Sequence, residues 1–202
     1  MTDPTLSITT PQEPGWLKLP ARPAKRKLFG SKRGLEKPLT DWADAHARDA
    51  LGPDAAAEVV SAYAGLLASL ARSSQERGDR LAFAWFSEPG GLPAAQMSVS
   101  TFGSSQEPPA LDSLEEKFAW KDGQTGPLEV ERTELPSGPA VRVRREQAGD
   151  DGDDATVSVT YAVLPPSMKE ALVFTMLWDR SDDAPSLTET ADATACSLRV
   201  TA

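Results

Sequence analysis

A chain of 202 residues with 40% apolar side chains has material for one sizeable core, and its single cysteine, Cys196, excludes an internal disulfide framework. The net charge of -9 hides an asymmetry: residues 1–38 hold eight of the 21 basic residues against only Asp3, Glu13 and Glu36, so this segment is +5 and the remainder is -14. An acidic body lacks the clustered Lys and Arg that phosphate binding needs, which argues against nucleic acid as a partner.

The opening "MTDPTLSITTPQEPGW" has no apolar signal-peptide core, and no run approaches the ~20 apolar residues of a membrane span. The expectation is a cytoplasmic location. Residues 1–38 contain six prolines and little periodicity, so they read as a basic, largely disordered arm. Within it "GWLKLP" can lay a short edge strand over residues 16–20. "AKRKLFGSKRG" sets Lys25, Arg26, Lys27, Phe29, Lys32 and Arg33 in one cluster, read either as a solvated linker or as a docking arm for an acidic protein or a membrane surface.

A single domain is expected over residues 39–202. Thr40 or Asp41 can cap a short helix through "DWADAHARDAL", and Pro53 suits the first position of a longer one. Val59, Tyr63, Leu66, Leu67 and Leu70 recur with helical spacing as its core stripe, and Gly78 is placed to end it. "RLAFAWF" and "AAQMSVSTF" read as a hairpin around "SEPGGLP". In "LDSLEEKFAW", Asp112 and Glu115 have capping-box spacing, with Leu111, Leu114 and Phe118 along one side.

From Leu128 the period is two. "LEVERTEL" and "AVRVRRE" flank "PSGP"; pairing Leu135 with Ala140 would set Glu131 against Arg144 and Thr133 against Arg142, a charged outer face. "TVSVTYAVL" puts Val157, Val159, Tyr161 and Val163 on one face. "ALVFTMLW" is apolar on both faces and so predicts a central strand of a covered sheet. Ser186 and Glu189 repeat the capping-box spacing and open a last helix, with Leu187, Ala191, Ala195 and Leu198 inward, that ends the chain. The fold class is α+β, an antiparallel sheet of about six strands with helices on both faces.

Catalytic chemistry is hard to find. The only histidine, His46, has no partner identified by the sequence, and Cys196 reads as a small buried thiol without clustered cations around it. "GDDGDD" brings Asp150, Asp151, Asp153 and Asp154 together, but Gly152 stands where a calcium loop wants an oxygen ligand and no Glu stands at the twelfth position. It reads as a solvated spacer. No cofactor and no metal is expected.

"GWLKLP", "LPSGPAVRVR", "TVSVTYAVLPP" followed by "ALVFTMLW", and the closing helix Leu187–Leu198 together resemble the Mog1/PsbP-like fold, in particular small actinobacterial proteins of that kind. Members of that fold include a Ran-GTPase-binding protein, a photosystem subunit and bacterial lipoproteins. The resemblance implies a non-enzymatic accessory protein that binds a protein partner, in an assembly or secretion system, through the sheet and the basic arm. The residues expected to carry it are those of the arm cluster together with Arg142 and Arg144. The alternative is a small apolar ligand held between sheet and helix near Trp85 and Trp178. The signal and lipobox cysteine of the lipoproteins are absent from this sequence, which again favours the inside of the cell.

Overall fold

The structure, a computed structural model, describes residues 5–9, 15–21, 33–103, 108–119, 126–147, 155–179 and 184–201. Two strands and the start of a helix come from the proline-rich segment, the strands being β1 (Thr5–Ser7) and β2 (Trp16–Lys18). They are followed by α1 (Arg33–Leu51), α2 (Ala57–Arg77), β3 (Leu81–Trp85), β4 (Ala95–Phe102), α3 (Leu111–Phe118), β5 (Leu128–Leu135), β6 (Gly138–Gln147), β7 (Thr156–Val163), β8 (Ala171–Asp179), α4 (Ala184–Cys196) and β9 (Arg199–Thr201).

Seven strands form one antiparallel sheet in the order β2-β3-β4-β8-β7-β6-β5, and β1 pairs with β9 in a small second sheet. The period-two pattern builds the large sheet directly. One phase of its central strands, running through Met97, Val99, Phe174, Met176, Val157 and Val159, is fully buried. Leu187, Ala191, Ala195 and Leu198 of α4 and the turn after it close over this phase, and Leu6 and Val200 of the small sheet pack beside them. The opposite face is covered at its two ends. The α1–α2 hairpin lies over Ala82 and Ala84 of β3, while Leu114 of α3 sits on Val141, Val143 and Ala162.

Helix boundaries depart from the expectations in instructive ways. α1 begins at Arg33 and runs through Pro38, so neither Thr40 nor Asp41 is its cap. Pro53 lies in the turn ahead of α2, whose N-cap is Ala56. The buried stripe of α2 is Tyr63, Ala64, Leu67, Ala71 and Ser74, with Val59 51% exposed, because the small side chains let α1 and the sheet approach closely on that side. Gly78 does end it, in the left-handed conformation at φ 79°, and donates to the Gln75 carbonyl. The capping box expected in α3 is absent. The N-cap is Ala110, and Asp112 and Glu115 reach instead to Arg132 of β5.

The β5–β6 turn is tighter than expected. Leu135 pairs with Gly138, not Ala140, leaving Pro136 and Ser137 as a two-residue turn. Gly138 permits this: its φ is 136°, and a Cβ there would stand 2.4 Å from the Leu164 carbonyl oxygen. The register therefore moves by two residues, which keeps the charges on the same face and exchanges their partners. Arg142 opposes Glu131 and Arg144 opposes Glu129. The chain does not finish with α4 either, since β9 follows it, and Cys196 is exposed at the helix end, not buried.

Candidate partner-binding surface

Arg142 and Arg144 belong to the face covered by α4, and their charges are engaged within the molecule. Arg142 is 12% exposed; its Nε and Nη2 donate to the two carboxylate oxygens of Asp192 at 3.0 and 3.1 Å, and its Nη1 lies 3.4 Å from Glu131. Its guanidinium also sits 6.0 Å from the centroid of the Tyr161 ring, whose hydroxyl donates to Asp192 at 2.8 Å. Burial pushes the Tyr161 hydroxyl well above its usual range and the Asp192 carboxylate pushes it further. For Arg142 burial acts downward, but Asp192 outweighs it and the guanidinium is held above its ordinary value. Arg144 approaches Glu129 at 3.5 Å and Glu146 at 3.8 Å. Arg142 fastens α4 to the sheet, Arg144 pairs within the β5–β6 hairpin, and both guanidiniums are largely covered while Glu129 and Glu131 beside them stay exposed. Arg33 is the first residue of α1, while Lys25, Arg26, Lys27, Phe29 and Lys32, like the acidic loop of Asp150 to Asp154, lie outside the described residues.

The accessible surface lies elsewhere. Between α2 and α3 the face opposite α4 has a stripe, uncovered by any described residue, that crosses the middle of the sheet. Its floor is Gln96, Ser98 and Ser100 of β4 against Thr175 and Leu177 of β8, and it forms a groove of about 490 Å³. In register, Ser98 stands beside Thr175 and Gln96 beside Leu177; Thr160 of β7 continues the row, its hydroxyl 3.2 Å from that of Thr175. Leu19 and Arg77 form the wall. Arg77 is tied to the buried carboxylate of Asp79, with 2.8 Å between Nη2 and Oδ2.

Each strand here has one buried and one open phase. Met97, Val99, Phe174 and Met176 are buried under α4, whereas Gln96, Ser98, Ser100 and Thr175 are only partly covered and Leu177 is 38% exposed. "ALVFTMLW" is central in the sheet and, as its apolarity suggests, buried on both faces from Ala171 to Phe174, but its second half opens on one face at Thr175 and Leu177. Sequence reasoning missed the groove; the signals were the polar phase Gln96-Ser98-Ser100 and the single hydroxyl, Thr175, in an otherwise apolar strand.

Other expected chemical groups have ordinary settings. His46 Nδ1 lies 2.9 Å from the Trp42 carbonyl oxygen, and its ring sits 4.8 Å from that of Trp42 at a tilt of 39°. Trp178 is 1% exposed and lies inside the core beneath α4. Among the described residues no group of three or more His, Cys, Asp or Glu side chains is placed to hold a metal, and no helix is long and apolar enough to cross a membrane.

The architecture defines an α+β protein built on an open antiparallel sheet. Its fold is similar to that of LpqN of Mycobacterium tuberculosis, a protein described as involved in cell envelope biogenesis, with a TM-score of 0.51 and 11% identity over 99% of this chain and 85% of that one. No protein-family model and no curated protein sequence matches the chain.

Proposed function

We propose that this chain is a non-enzymatic accessory protein that binds a protein partner in the groove across β4 and β8. The observation that carries this reading is the uncovered stripe itself: a central sheet face with an exposed leucine, Leu177, beside a row of hydroxyl and amide side chains. Such a mixture suits an extended protein segment, which needs an apolar contact and several hydrogen-bond partners. The likeness to LpqN supports envelope assembly as the setting, and the order of elements keeps the Mog1/PsbP-like reading of the fold. The basic cluster from Lys25 to Arg33 is the second contact in this proposal, whereas Arg142 is taken up by Asp192 of α4 and Arg144 by Glu129 and Glu146.

The test is a photo-crosslinking residue at position 177, with one at the exposed, remote position 59 as control. One dominant protein should be captured from 177 alone and lost in Leu177→Glu with a normal circular dichroism spectrum. Equal capture from both positions would refute the groove. The arm is tested by reversing the charges of Lys25, Arg26 and Lys27, because deleting residues 1–38 would also remove β1, β2 and the start of α1.

A further inference from the structure

The two edges of the large sheet are built differently. β2 is three residues long and Pro20 follows closely, so it offers little to a new strand. β5 runs for eight residues, Leu128–Leu135, without proline, and its register with β6 is unbroken by any bulge. Among the described residues no strand pairs with its outer side. Natural edges of this length are ordinarily blunted by a proline, a bulge or charged side chains; β5 has no proline or bulge between Leu128 and Leu135, and its defence is the charge of Glu129, Glu131, Arg132 and Glu134, which selects among incoming strands by sign.

The outward groups can be assigned. The Glu146 amide donates to the Pro127 carbonyl at 3.0 Å, so 127/146 is a hydrogen-bonded pair and every second pair after it is too. Glu129, Glu131 and Thr133 therefore spend their backbone groups on β6. The amides and carbonyls of Leu128, Val130, Arg132 and Glu134 point outward.

Side chains add a chemical preference. On one face of β5 the exposed carboxylates are Glu129 and Glu131. On the other, Leu128 and Val130 are half-buried against the cluster around Leu114 of α3, while Arg132 is drawn onto α3 by Asp112 and Glu115. A second copy does not fit this edge. The antiparallel two-fold registers with longest overlap centre on Glu131, which sets two carboxylates opposite each other, or on Arg132, which does the same to two guanidiniums.

We infer that β5 accepts an added strand from a partner protein, one that alternates basic and apolar residues, with Lys or Arg opposite Glu129 and Glu131 and apolar side chains extending the Leu128–Val130 cluster. This goes beyond the groove reading, uses a different surface and can fail separately from it.

The probe is a short fluorescein-labelled peptide alternating Lys and Val, added to the full-length chain. Its controls are the same composition in two blocks and an alternating Glu–Val peptide. The alternating Lys–Val peptide should bind at least about tenfold more tightly than either control, since only it places charge and apolar contact on the correct faces. Amide shifts should centre on Leu128, Val130, Arg132 and Glu134. Glu134→Pro, which removes an outward amide and leaves the β6 ladder alone, should weaken binding, as should Glu129→Gln with Glu131→Gln, by roughly two- to tenfold. Leu177→Glu should leave it unchanged. Binding of the block peptide within about twofold of the alternating one, or amide shifts confined to other strands, would overturn the inference whatever the crosslink at 177 shows. So would reversible dimerisation in sedimentation abolished by Glu134→Pro.

Discussion

Arg142 and Asp192 meet as a planar fork on a carboxylate, Nε to Oδ1 at 3.0 Å and Nη2 to Oδ2 at 3.1 Å, joining the middle of β6 to the outer side of α4. Tyr161 from β7 adds a third bond to the same carboxylate. Removing one member leaves the others partly buried and unmatched, which costs more than the pair itself contributes. Arg142→Ala should lower stability by about 1–3 kcal/mol in urea unfolding, and Tyr161→Phe by about 1 kcal/mol. The double variant Tyr161→Phe/Asp192→Ala should lose measurably less than the sum of its parts, because each change alone already removes the bond they share.

The same burial makes stability depend on pH at the alkaline end. The chain has two tyrosines, Tyr63 and Tyr161, and burial raises both hydroxyls above their usual value near 10, with Asp192 adding to the effect on Tyr161. Above pH 10 the unfolded chain releases these protons while the folded protein keeps them. The folded state then binds more protons, so stability is complete below pH 10 and falls as pH rises, by up to about 1.4 kcal/mol per pH unit for each tyrosine. Absorbance at tyrosinate wavelengths should rise at higher pH in the folded protein than in the urea-unfolded chain, with Tyr161 the later of the two to ionise. Tyr161→Phe should flatten the alkaline slope more than Tyr63→Phe, because Asp192 adds to burial at Tyr161 alone.

Which features were legible follows from how local their causes are. Val157, Val159, Tyr161 and Val163 sit on the buried face, and Leu187, Ala191, Ala195 and Leu198 line the cover above it, because period alone decides which side of an element is apolar. Gly78 ends its helix for a reason contained in its missing Cβ. The failures involve distant partners. Asp112 and Glu115 have capping-box spacing, yet Arg132, far along the chain, competes for both and wins. Arg142 looks like an outer-face charge until α4 brings Asp192 onto it. The groove depends on what does not cover Ser98, Thr175 and Leu177, and a strand's own sequence does not report where neighbouring helices stop.

α3 tests the weight of these ion pairs against packing. It is held to the sheet by Leu114, which is fully buried, and by Arg132 reaching Asp112 and Glu115 at the surface. Leu114→Ala should cost about 2–4 kcal/mol through lost burial and a residual cavity. Arg132→Ala should leave the unfolding midpoint unchanged, since exposed ion pairs are screened by solvent and salt.

Cys196, at the exposed end of α4, should react fully with a thiol reagent in the native protein without denaturant. Cys196→Ser should match the parent in thermal unfolding, as expected where a side chain contributes no core packing.

Two glycines separate backbone need from backbone cost. At Gly138 an added Cβ would meet the Leu164 carbonyl oxygen at 2.4 Å and the Leu164 carbonyl carbon at 3.0 Å, and the φ of 136° is itself unfavourable for an L-residue. Neither obstacle is a flexible side chain, so relief requires moving the β7–β8 connection or opening the β5–β6 turn. Gly138→Ala should therefore lose about 2–4 kcal/mol and disturb the amides around Leu135 and Leu164. At Gly65, exposed within α2, the same methyl would meet nothing within 4 Å. There the only effects are higher helix propensity and a less flexible unfolded chain, so Gly65→Ala should stabilise by about 0.5–1 kcal/mol. Opposite signs for one added methyl would show that the tight turn at Gly138, which sets Arg142 against Glu131, is imposed by the Leu164 backbone and not by general strand preference.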